Sequence, residues 1–330
     1  MERLERLNAW LAEVLPGRRL HLEPASSDAS FRRYFRVRSD RESWIAMDAP
    51  PDKEPCGPFV RVAELLRRAG VHAPAILAQD LAQGFLLLAD LGTQTYLDVL
   101  NDHNADALFR DAVEALLKWQ RASRPGVLPP YDEALLRREM ELFPEWYVGR
   151  HLGLALNPRQ REALEAIFRL LIGSALAQPR VYVHRDYMPR NLMVSDPNPG
   201  VLDFQDAVEG PLTYDVVSLF RDAFVSWPEE RVLDWTIRYW EKARAEGLPV
   251  DPDFAAFYRS FEWMGLQRHL KVLGIFARIC YRDGKPHYLA DTPRFVAYAR
   301  EVARRYRELA PLARLLDDLE GRAPSVGYSF

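Results

Sequence analysis

Cysteine is nearly missing: two residues, Cys56 and Cys280, stand far apart in a chain of 330. That usage suits a reducing compartment and two inert buried thiols better than a disulfide framework. No stretch reaches the roughly 18 consecutive apolar residues that a membrane helix needs. The first seven residues are charged at helical spacing and carry no apolar leader-like segment. A cytoplasmic, soluble protein is the expectation. Charge of one sign is lacking too, since 44 Lys and Arg face 47 Asp and Glu, for a net charge of −3. With no polybasic block, neither nucleic acid nor an anionic membrane is implied as a partner. Low-complexity tracts are absent, and 48% of the chain is hydrophobic. That is enough apolar material for two modest cores, at about 100–200 residues per domain.

What is present begins with a helix. Leu4, Leu7, Trp10, Leu11 and Val14 recur at steps of three and four until Pro16-Gly17 stops them. Alternation then predicts strands at Leu20 and Leu22, at residues 31–37 and at 43–47. A helix over 59–69 follows, with Val60, Ala63 and Leu66 inward and Gly70 at its end, and then strands over 75–78 and 85–89. Asp90-Leu91-Gly92 breaks the sheet. From Thr95 onward the periodicity is helical, through Leu108, Ala112, Val113, Leu116 and Leu117, and over 158–177, 233–243, 254–280 and 293–309. The fold class expected is α+β, with a strand-rich region over 1–90 and a helical region over 91–330.

One segment interrupts the helices. A short apolar run enters Val183-His184-Arg185-Asp186, and Asn191 follows Asp186 by five positions. About a dozen residues later Leu202 delivers Asp203. Phosphoryl transfer needs a group to orient and deprotonate a hydroxyl, plus oxygen ligands for magnesium on the nucleotide phosphates. Asp186 fits the first role, and Asn191 and Asp203 fit the second.

His184-Arg185-Asp186 with Asn191 resembles the catalytic loop of the protein kinase superfamily, and Asp203-Phe204-Gln205 resembles its metal-binding Asp-Phe-Gly. Pro189 and the downstream Gly210-Pro211-Leu212-Thr213-Tyr214-Asp215 resemble the aminoglycoside phosphotransferase and choline kinase-like branch. Residues 28–37, 46–51, 202–215 and 265–276 resemble those members of the branch that phosphorylate bacterial amino sugars at C1 in cell-wall recycling. The resemblance implies a two-lobed kinase-like fold, ATP and Mg²⁺ as cofactors, and N-acetylmuramate or N-acetylglucosamine as acceptor. It makes Asp186 the base and Asn191 and Asp203 the metal ligands. His184 and Arg185 would brace the loop, Arg185 by pairing with a carboxylate, and Asp215 would accept hydrogen bonds within it.

Two departures from the family pattern bear on nucleotide binding. The turn between the first two strands lacks glycine, leaving Ser27 and Ser30 to offer amides and hydroxyls to phosphate. Met47 stands where the family usually holds a phosphate-gripping lysine. Arg33 and Lys53 are the candidate replacements, with a solvated surface cation as the alternative for each. Adenine would meet main-chain groups around Leu88, Ala89 and Asp90. On the acceptor side, residues 135–149 mix charged groups, Glu139 among them, with Trp146 and Tyr147, as sugar pockets do. A carboxylate-bearing sugar would favour a cation such as Arg190, Arg268 or Lys271. Other readings are an aminoglycoside or small-alcohol phosphotransferase, or a nucleotide-binding pseudokinase.

Overall fold

The computed structural model describes residues 2–26, 31–40 and 42–321. Contacts group the chain into two compact units: Met1–Ala122 with Pro189–Ala207, and Ser123–Met188 with Val208–Phe330.

The first unit is built on a five-stranded antiparallel sheet of order β1-β2-β3-β5-β4. Its strands are β1 (His21–Ser26), β2 (Arg33–Arg38), β3 (Ser43–Asp48), β4 (Ile76–Asp80) and β5 (Phe85–Ala89). Helix α1 (Glu2–Val14) buries Leu7, Trp10 and Leu11 against Val37, Trp44, Ala46, Phe85 and Leu87. Side chains alternate along a strand, so Met47, paired with Leu86, lies on the sheet face opposite Ala46 and is fully buried. Asp48 ends β3 with no exposed surface and accepts from Arg3 Nε and Arg33 Nε, each at 3.0 Å. Helix α2 (Gly57–Arg68) buries Phe59, Val62, Ala63 and Leu66. Val60, expected inward, is half-buried, because the apolar stripe runs through Val62 instead. Helices α3 (Tyr96–Val99) and α4 (Ala105–Arg121) follow. Later in the chain Leu192–Met193 pairs antiparallel with Gly200–Val201 and joins this unit through Val194 N–H to the Gln94 carbonyl, 2.9 Å.

The second unit is helical around one short antiparallel pair, β6 (Arg180–Val183) with β7 (Val208–Pro211). Helix α5 (Glu133–Met140) leads into a π-helical segment, Phe143–His151, followed by α6 (Pro158–Ala177). Then come α7 (Tyr214–Phe220), α8 (Glu229–Ala245), α9 (Phe254–Asp283), α10 (Thr292–Arg305) and α11 (Ala310–Leu319). The periodicity over 293–309 is interrupted: α10 ends at Arg305, a single 3₁₀ turn at Arg307–Leu309 follows, and α11 starts beyond it with Pro311 in its first turn, a position where proline's missing N–H costs nothing. Helix α9 packs against α5, α6, α7, α8, α10 and the π-helical segment. Every residue from Phe261 to Gly274 is buried. A helix enclosed on all sides is ordinarily apolar all round, yet this one carries Glu262, Gln267, Arg268, His269 and Lys271 inside.

Close packing of α9 falls on one glycine. A Cβ added at Gly274 would stand 2.3 Å from the Leu142 carbonyl carbon, which is backbone and has little room to retreat. Gly173 in α6 has no heavy atom within 4 Å of the same construction. Gly274→Ala should therefore cost about 1–3 kcal/mol of stability. Gly173→Ala, at an ordinary helical position, should gain about 0.5–1 kcal/mol. Denaturant titration of the two variants checks the opposite signs.

Candidate active site

The loop carrying Asp186 leaves β6 in the second unit. Val181, Tyr182 and Val183 are buried, so the strand delivers the loop from a fixed base. Asp215, in the first turn of α7 and with no exposed surface, accepts the His184 amide at 2.7 Å and the Arg185 amide at 3.0 Å. The Asp186 amide donates to His184 Nδ1 at 3.2 Å, which leaves the His184 proton on Nε2. Three successive amides are thus tied. Arg185 adopts φ = 77°, a left-handed backbone that costs a residue with a Cβ about 1–2 kcal/mol. An intramolecular hydrogen bond contributes about 0.5–1.5 kcal/mol, so the two amides on Asp215 together offset strain of that size. Burial pushes Asp215 up to about 7, against the pull of the same two amides.

The Arg185 side chain finds a carboxylate in Glu139 of α5. Lys271 Nζ lies 2.9 Å from Glu139 Oε1 and donates to the Tyr214 hydroxyl at 2.9 Å. Tyr131 donates to Glu139 Oε2, and Gln267 Nε2 approaches the same oxygen at 3.4 Å. Glu139 is 6% exposed. Burial alone would raise its pKa; the charges of Lys271 and Arg185 prevail and hold it at about 2. Burial would likewise push the Lys271 ammonium down, and Glu139 holds it up. Arg268 is also buried, its Nη1 3.5 Å from the Arg221 carbonyl and its Nη2 3.9 Å from Met188 Sδ, two positions beyond Asp186.

Asn191 and Asp203 meet in the first unit. Leu202 N–H donates to the Asn191 carbonyl at 2.9 Å, and the Asn191 carboxamide nitrogen stands 3.5 Å from Asp203 Oδ2. Gln205 Nε2 donates to Asp203 Oδ1 at 2.8 Å. Asp203 has φ = 60° and an exposed side chain, while Phe204 behind it is buried with its ring 4.7 Å from that of Phe59. Among the described residues Arg185 and Asp203 are the non-glycine positions with positive φ. Backbone strain of this kind collects at functional sites. A carboxylate and a carboxamide offer hard oxygen donors in the small number that Mg²⁺ takes from protein, the rest of its shell coming from water and phosphate. The donor set fits that ion.

The residues expected at the nucleotide, and Arg190 expected at the sugar, belong to the first unit. Ser27 and Ser30 lie outside the described residues. Arg33 is half-exposed and engaged by Asp48. Lys53 stands 4.6 Å over the Phe31 ring. Leu88 is buried in β5, paired with Ile45 and Ile76. Asp90 accepts from Arg36 Nε at 2.8 Å and from the Gly92 amide at 3.0 Å. Arg190 is half-buried in the single helical turn Pro189–Asn191. Glu64 is a surface residue, 2.8 Å from Arg68.

Sequence reasoning gave Arg185 a carboxylate partner without saying which; it named Tyr214 and Gln205 only as members of motifs, and Tyr131 not at all. A signal for Glu139 was available. It stands three residues after Leu136 and four before Phe143, both fully buried, so a helix through them carries its carboxylate inward.

The model of the phosphotransferase enzyme family matches residues 21–256. The N-acetylmuramate/N-acetylglucosamine kinase of Pseudomonas putida is 61% identical over 320 residues, spanning 97% of this chain and 93% of that protein. The kinase of the same name from Pseudomonas aeruginosa is 58% identical over 327 residues, spanning 96% of this chain and 97% of its own. Among solved structures, ADP-bound aminoglycoside phosphotransferase APH(2'')-Ib is similar with a TM-score of 0.60, at 16% identity over 90% of this chain and 98% of that one. At such identity the likeness speaks for the fold, the α+β arrangement of protein-kinase-like phosphotransferases. With the family model spanning most of its length and relatives this similar over nearly all of it, the chain belongs to the phosphotransferase enzyme family.

Proposed function

We propose that this kinase transfers the γ-phosphoryl group of ATP to the C1 hydroxyl of N-acetylmuramate or N-acetylglucosamine, giving the sugar 1-phosphate for cell-wall recycling in the cytoplasm. The observation that carries the reading is the 61% identity, over 97% of the chain, to a kinase named for these two sugars. The loop chemistry supports it. The hydroxyl of a hemiacetal carbon is more acidic than an ordinary alcohol, so one carboxylate, Asp186, suffices to take its proton. Asp215 and His184 fix the loop backbone so that this carboxylate is aimed before the sugar arrives. Asn191 and Asp203 would hold Mg²⁺, which when bound neutralises phosphate charge.

On the nucleotide side we assign Ser27, Ser30 and Arg33 to the phosphates and the main chain around Leu88 and Asp90 to adenine. The sheet of residues 1–90 covers the nucleotide, and 91–330 supplies the loops and the sugar pocket. Arg190 and Arg268 are the cations assigned to the sugar's carboxylate. Glu139, with both oxygens engaged inside the protein, acts on the sugar indirectly, through Arg185.

Incubation with Mg·ATP and N-acetylmuramate should consume the reducing end of the sugar; a product that still reduces copper would place the phosphate elsewhere. Asp186→Asn should lower turnover by on the order of 100- to 10,000-fold, the usual contribution of a general base, while nucleotide still binds by calorimetry. Loss of even a supporting partner weakens metal sites about 10- to 100-fold, so Asp203→Asn should raise the Mg²⁺ needed for half-maximal rate by at least about tenfold. An unchanged Mg²⁺ titration would remove Asp203 from the metal site.

A further inference from the structure

Fixing Asp215 to the backbone of the loop leaves the Arg185 side chain to be held by something else, and α5 and α9 provide it. Arg185 is left-handed, its guanidinium meets Glu139 Oε1, and Lys271 meets the same oxygen at 2.9 Å. Tyr131 and Tyr214 close the cluster, their rings 5.3 Å apart, and the Lys271 donor also reaches the Tyr214 hydroxyl. Glu139 and Lys271 both have less than a tenth of their side chains exposed. Each is an ion that would be costly alone.

The order of the contacts matters. Asp186 follows Arg185 directly in the chain, so rotating Arg185 out of its left-handed conformation would carry the Asp186 carboxylate with it. The Glu139 ion pair is a side-chain restraint on that rotation, beside the guanidinium's place over the Tyr131 ring at 5.6 Å. Lys271 shares Glu139 Oε1 with Arg185, holds the carboxylate in place and balances its charge. The three charges form a clamp to which both α5 and α9 contribute.

We infer that Glu139, backed by Lys271, is a positioning residue for phosphoryl transfer: it holds Arg185 so that Asp186 points at the acceptor hydroxyl. The inference rests on the role given to Asp186, and the two fail separately. Wild-type turnover in Asp186→Asn would sink that role, whereas retained turnover in Glu139 variants would sink this one.

The test compares three variants with Mg·ATP and N-acetylmuramate, reading kcat, KM for ATP and thermal midpoint together. Glu139→Gln should lose about 100-fold in kcat, the scale of a misplaced catalytic group, with KM for ATP within about twofold. It should also melt lower, because it leaves Lys271 buried without its partner. Glu139→Gln/Lys271→Met removes that stranded charge and should regain thermal midpoint without regaining kcat, since the ion pair between Glu139 and Arg185 is still missing. Glu139→Asp keeps the charge and should recover part of kcat. If kcat rises with thermal midpoint in the double variant, or stays at the wild-type level in any folded Glu139→Gln preparation, the cluster serves stability alone and the inference is overturned.

Discussion

A charge enclosed by protein has to be met by another, and that requirement organises the second unit. Helix α9 runs buried from Phe261 to Gly274 with ionisable side chains inside it, and neighbouring helices answer two of them. Helix α5 answers Lys271 with Glu139, and helix α10 answers Glu262 with Arg305. An isolated buried ion costs several kcal/mol, so these pairings restrict how the helices can be arranged more sharply than their apolar stripes do. Greasy surfaces tolerate sliding by a fraction of a turn; opposed ions do not. The loop carrying Asp186 inherits that precision because Arg185 is attached to the same set of charges.

Strain and restraint are paired in the same way in both units. Arg185 and Asp203 hold left-handed backbones without being glycine, and each sits beside groups that keep it there. For Arg185 these are Asp215 and Glu139; for Asp203 they are Gln205 and the buried Phe204 against Phe59. A glycine at either position would relieve the strain and also remove a side chain to which the proposed chemistry gives a role. The sequence Asp-Phe-Gln keeps an amide donor on the Asp203 carboxylate where the more familiar Asp-Phe-Gly has no side chain to offer.

Much of this was legible beforehand, and the reason differs by element. The strands of the sheet and helices α1, α4 and α6 declare themselves by period, because their partners lie on one face only. The Asp186, Asn191 and Asp203 spacing is local, so a single chain displays it. The Glu139–Lys271 pair spans more than a hundred residues of sequence, and nothing within either helix names the other. The end of α10 at Arg305 was not legible, because Leu309 in the turn that follows is buried like the stripe before it and the apolar spacing carries across the break. The fate of Arg33 was hidden for a similar reason. Its partner Asp48 lies directly across the β2–β3 pairing, a register that strand alternation alone does not set.

Asp48 has a further meaning. One carboxylate with no exposed surface receives both Arg3, from the first turn of the chain, and Arg33, the strand cation assigned to phosphate. Arg3 takes Oδ1 and Arg33 takes Oδ2, so the two arginines share a single counterion. Were Arg33 to turn toward an anion, Arg3 would still neutralise Asp48. The N-terminal helix thus permits the cation on β2 to leave its place without stranding a buried charge behind it.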